Sequence, residues 1–113
     1  MAPTNEQVTE HAFLKTLYRD DYYPDALVDR GREILLRLCG RVEAERPAGL
    51  DALYALAHAA TEEFNALQDA FWEAGSEIET VAREEIAGDF RFVAEAYGFA
   101  DAAVEELIAP RAW

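Results

Sequence analysis

The chain has 113 residues, 51% of them hydrophobic and 29% charged, which suits one globular domain and excludes a disordered segment. Ten basic residues against 23 acidic ones leave a formal charge of −13 with both histidines neutral. A surface that negative repels nucleic acid and anionic lipid, so direct binding to either is not expected.

Cys39 is the only cysteine, which rules out an intrachain disulfide and a secreted scaffold built on such bridges. Met1 to Phe13 carry Glu6 and Glu10 and lack the basic and apolar regions of a signal peptide. No apolar run approaches the roughly 18 residues that a spanning helix needs. The expected location is the cytoplasm, with no membrane contact.

Ala, Leu, Glu and Arg dominate and β-branched residues are sparse, so helix is favoured nearly throughout. A first helix is expected from about Glu6 to Arg19, with Thr4 and Gln7 spaced as a capping box. The turn from Asp20 to Pro24 ends it. A second helix, Asp25 to Glu45, carries Val28, Gly31, Leu35, Leu38 and Val42 at steps of three and four. Arg46-Pro47-Ala48-Gly49 stops it. The third, Leu50 to Ala74, has the cleanest stripe: Leu53, Ala57, Ala60, Phe64, Leu67 and Phe71.

Gly75 closes that helix, and Ser76 with Glu79 is spaced as a second capping box. A fourth helix turns Ile78, Ala82, Ile86, Phe90, Val93 and Tyr97 inward and ends at Gly98. A short fifth, Asp101 to Ala109, is stopped by Pro110. Gly31 and Gly88 fall inside helices, where close helix contact is their expected use. The whole chain, 1–113, is therefore expected to be one all-α domain: an antiparallel bundle of four long helices plus a short C-terminal one.

The charge is unevenly placed. Residues 1–46 hold nine acids and seven bases, whereas 47–113 hold 14 acids and only three bases. Glu77, Glu79 and Asp51 fit helix N-termini, and Glu79–Arg83 and Arg91–Glu95 are spaced for i,i+4 pairs. Glu62, Asp69, Glu73, Glu84, Glu85 and Asp89 have no such local use. They read either as a solvated, solubilising face or as a docking surface for a basic protein partner.

Candidate chemistry is thin. His58 and Glu62, four apart on the third helix, point the same way and are the candidate metal ligands, although a zinc site usually takes three. Neither histidine follows a glutamate by three residues, which argues against a di-iron bundle site. Glu62-Glu63 and Glu84-Glu85 with Asp89 only partly match a magnesium site of the all-α pyrophosphatase kind, the last acid lying one residue too far on. Cys39 sits beside a core stripe, no nucleophile–base set stands out, and the six glycines occur singly, so no phosphate loop exists. No catalytic residue and no cofactor is assigned. Tyr54 and Trp72 lie off the core stripe, either packed on neighbouring helices or serving as interface anchors, including for a homodimer.

Several stretches match a known pattern: Asn5-Glu6-Gln7, His11-Ala12-Phe13-Leu14, Leu27-Val28-Asp29, and His58-Ala59-Ala60-Thr61-Glu62-Glu63-Phe64-Asn65. The most specific are Ser76-Glu77-Ile78-Glu79-Thr80-Val81-Ala82-Arg83-Glu84 and Ala96-Tyr97-Gly98-Phe99. Through them the chain resembles a family of small, uncharacterised bacterial proteins grouped as a domain of unknown function. The resemblance implies a free-standing bacterial helical domain and nothing about mechanism. The favoured expectation is a non-enzymatic module of immunity, antitoxin or regulator type, with DNA mimicry as a sub-case. It would dock a basic protein through its C-terminal half, using Glu62, Asp69, Glu73, Glu84, Glu85, Asp89, Tyr54 and Trp72. The alternative is a small metal-dependent hydrolase using His58, Glu62 and acids of the fourth helix.

Overall fold

The high helix propensity of the chain is realised along most of its length in the computed structural model, which describes residues 2–113. Six helices follow in order: α1 (Glu6–Glu10), α2 (Lys15–Tyr18), α3 (Asp25–Glu45), α4 (Leu50–Glu73), α5 (Thr80–Ala96) and α6 (Val104–Leu107). Among the described residues there is no strand, so the all-α class holds.

The long helices run up, down and up. Gly31 of α3 abuts Phe64 and Leu67, whereas Arg37 further along reaches back to Glu63, which makes α3 and α4 antiparallel. Tyr97, just past the end of α5, meets Glu43 near the end of α3, so those two helices run the same way. All six residues of the α4 stripe are buried, and Phe64 packs its ring 5.9 Å from that of Phe90 on α5. Gly75 and Gly98, at φ 83° and 87°, close α4 and α5 with Schellman bonds, Ser76 N–H to Phe71 O and Phe99 N–H to Ala94 O, each 2.8 Å.

Four local expectations are corrected. The helix expected over Glu6–Arg19 breaks: α1 ends at Glu10, His11 is extended, and Leu14 takes a left-handed φ of 55° before α2. With the chain broken there, the adjacent Phe13 and Leu14 are both buried, at 2% and 1% exposure. Asn5 rather than Thr4 caps α1, its side chain accepting from the N–H groups of Gln7 and Val8, while Thr4 donates to Glu43. Ser76 does not cap α5, because it is already the residue after the α4 glycine and leads an extended arm that buries Ile78. The final helix is a single turn, Val104–Leu107, within a tail that lies along α4.

Candidate functional site

The polar face of α4 serves the fold from within. Tyr54, His58, Thr61 and Asn65 recur at steps of four, three and four, which sets them in one row along the helix. That row holds the tail by its backbone. The Tyr54 hydroxyl accepts from Ala103 N–H at 3.1 Å, and His58 Nε2 bonds Glu106 O at 2.6 Å. Thr61 Oγ1 donates to Leu107 O at 3.2 Å, and Asn65 both donates to Pro110 O and accepts from Ala112 N–H, at 3.0 and 2.8 Å. Trp113 is thereby seated against Phe64, ring centroids 6.1 Å apart.

This arrangement redirects two sequence-level candidates. His58 spends its Nε2 on a carbonyl and stacks on Tyr54, and the exposed Glu62 lies near Asn65. Among the described residues, no three His, Cys, Asp or Glu side chains gather as metal ligands, so the pair gains no third donor. Tyr54 is a tail anchor, and it stands about 27 Å from Trp72 along α4 at about 1.5 Å per residue. The two aromatics therefore do not form one dimer patch.

Two acids of α5 are also used internally. Asp89 is 7% exposed; its carboxylate takes His11 Nε2 and Leu14 N–H, each at 2.8 Å. Burial pushes the Asp89 carboxyl up, against the bonds from His11 and Leu14. His11 is held flat on Phe92, ring centroids 3.8 Å apart. One turn earlier on α5, Glu85 accepts Thr16 N–H at 2.7 Å and so caps α2. Asp89 is thus no part of a docking face, and Glu85 is committed to α2.

Sequence reasoning missed Glu43. Its carboxylate receives the N–H and hydroxyl of Thr4, the N–H of Asn5 and the hydroxyl of Tyr97. Burial alone would raise its pKa, but these donors outweigh it and hold it at about 2. Burial pushes the neighbouring Cys39 thiol up to about 12, which leaves it inert as a nucleophile at neutral pH. No local spacing signals this site, since its partners lie about 38 and 54 residues away in sequence.

Two large aromatic side chains stay open to solvent at one end of the bundle. Trp72 is 70% exposed and Tyr22 39%, and the two flank a notch with Gly75, Ser76 and Glu77. Val81, in the first turn of α5, is also exposed. Asp69 and Glu73 on α4 and Glu77 and Glu79 before α5 are exposed acids of the same end, whereas Glu84 is an exposed acid further along α5.

Residues 7–113 match a family of unknown function, DUF5713. The chain belongs to that family. No curated protein and no solved structure matches it significantly. No helix of this DUF5713 chain is long and apolar enough, among the described residues, to cross a membrane. Among the described residues, the exposed large apolar side chains are Tyr22, Trp72 and Val81, and exposed acids accompany them at the Trp72 end.

Proposed function

We propose that this chain is a non-enzymatic module of the cytoplasm that docks a basic protein partner through the Trp72 end of the bundle. The observation that carries this reading is the pairing of a 70% exposed tryptophan with exposed carboxylates at Asp69, Glu73, Glu77 and Glu79. Solvent-exposed tryptophan is apolar area that association removes from water, and Trp and Tyr are the side chains that dominate binding hot spots. The surrounding acids steer a cationic surface toward it and disfavour acidic competitors. Glu62 and Glu84 extend the negative field along α4 and α5, whereas Asp89, Glu85 and Tyr54 are spent inside the fold.

The test begins with capture of the partner by the tagged protein and its elution in a salt gradient. The captured protein is then purified and its association measured against wild type and the Asp69→Lys/Glu73→Lys variant. The on-rate falls at least about tenfold in that variant and its salt dependence flattens. Trp72→Ala raises the off-rate instead, as loss of an apolar anchor does. An on-rate indifferent to the charge reversal would overturn the electrostatic docking.

A further inference from the structure

The notch between Tyr22 and Trp72 has the makings of a single-side-chain site. It is an open notch of about 220 Å³, less than the roughly 300 Å³ at which pockets for drug-sized ligands begin. Two aromatic residues, Tyr22 and Trp72, and the acid Glu77 line it, and no Lys or Arg is among its lining residues. Tyr22 is braced rather than free: its ring meets the edge of the buried Tyr23 at 5.1 Å, and its N–H is bonded to Asp20 Oδ1 at 2.9 Å. Ser76 lines the same notch, is 4% exposed, and its Oγ has no hydrogen-bond partner. The Tyr22 hydroxyl lies close to Ser76, but Ser76 Oγ has no hydrogen bond of normal geometry. A buried hydroxyl without a partner is destabilising to the free protein and calls for a group that completes it.

Deepening the docking reading, on which it rests, we infer that this notch receives one arginine side chain of the basic partner. A guanidinium is flat, weakly hydrated and suited to stacking on Trp72 and Tyr22. It also carries five N–H donors in a fixed fork, so it can reach Glu77 and Ser76 Oγ together. An ammonium is more strongly hydrated and gains less from aromatic walls. Entry requires a small shift of the notch lining, after which an N–H meets Ser76 Oγ, buried in the free protein.

The experiment titrates the full chain with three small probes while following the tryptophan indole N–H signals by NMR. The probes are Nα-acetyl-arginine methylamide, the corresponding lysine compound, and the neutral citrulline compound. The arginine probe shifts the Trp72 indole saturably and leaves that of Trp113 unmoved. Lysine binds at least about fivefold more weakly, and citrulline gives no saturable shift. Ser76→Ala weakens arginine binding several-fold without lowering the melting temperature, because it removes an unpartnered group from the free protein. A linear arginine response, an equal citrulline response, or unchanged affinity in Ser76→Ala would each overturn the site. Failure here with on-rates still lowered by Asp69→Lys/Glu73→Lys would leave the docking reading standing without an arginine pocket. Success here with on-rates indifferent to that reversal would reject the wider electrostatic surface alone.

Discussion

The Asp89 carboxylate on α5 accepts the backbone N–H of Leu14 at 2.8 Å, and it does so at a residue held at φ 55°. A left-handed leucine costs on the order of 1–3 kcal/mol and persists only where surrounding contacts demand it. Here those contacts are the burial of Phe13 and Leu14 together with both oxygens of Asp89, the second of which binds His11. Asp89→Ala leaves the Leu14 N–H unpaired in the core and removes the hold on His11. The expected loss is about 2–4 kcal/mol. Urea unfolding followed by tryptophan fluorescence measures it, and amide exchange at Leu14 should accelerate first. Asp89→Asn preserves the shape and one acceptor and should lose less; equal losses would mean that the break needs both carboxylate oxygens or their charge.

Glu43 gives the fold a distinct acid limb. Its folded pKa of about 2 lies below the ordinary 4.5, so ionised Glu43 contributes stability above pH 4.5. That contribution is lost as pH falls through about 2. Glu43→Gln removes the titration, so wild type should exceed the variant at pH 6 and the gap should narrow toward pH 2. Urea midpoints at the two pH values decide it. A gap that stays constant across the range would show that the contribution of Glu43 does not depend on its ionisation.

The long helices were legible because their signals are local and repeated. The α4 stripe from Leu53 to Phe71 is buried throughout, and α3 spans Asp25–Glu45 as its punctuation predicts. Gly75 and Gly98 stop their helices as a left-handed glycine should. The failures share one cause, which is a partner far away in sequence. Propensity carries the first helix smoothly from Glu6 to Arg19, and only Asp89, 75 residues from Leu14, interrupts it. The same distance hid the use of Asp89 and Glu85, which look idle when only i,i+4 neighbours are considered. His58 and Tyr54 lie off the core stripe, yet nothing in their spacing shows that a tail returns over them. Trp72, Asp69 and Glu73, by contrast, are exposed, as positions off the core stripe of α4 can be.

The tail contacts predict a graded response. Thr61→Val keeps the shape and removes the bonds to Ala57 O and Leu107 O, for an expected cost of about 1 kcal/mol. Asn65→Ala removes two bonds at once, those to Pro110 O and Ala112 N–H, and should cost about 1–3 kcal/mol. Amide exchange at Ala112 should rise more than the global opening rate, and Trp113 fluorescence should shift to the red. His58→Ala should lose stability equally with and without added Zn²⁺, since the imidazole is a tail ligand. A zinc-dependent stabilisation present only in wild type would contradict that role.

Two glycines with the same sequence signature should respond in opposite directions. Both lie inside helices, where glycine costs about 1 kcal/mol relative to alanine. A Cβ on Gly31 would sit 2.9 Å from Leu14 Cδ1 and 3.2 Å from Phe64 Cε1, both side chains being 1% exposed. Leu14 cannot retreat easily, because its backbone is pinned by Asp89 and its side chain fills the core beneath α3. Gly31→Ala should therefore cost about 1–3 kcal/mol from overpacking, reduced by the helix-propensity gain. A Cβ on Gly88 meets nothing within 4 Å, and that position is exposed. Gly88→Ala should stabilise by about 0.5–1 kcal/mol, by limiting the unfolded chain and favouring helix. The two midpoints in urea should fall on opposite sides of wild type. If Gly31→Ala were also stabilising, the close approach of α3 to Leu14 and Phe64 would have to be looser than 2.9 and 3.2 Å imply.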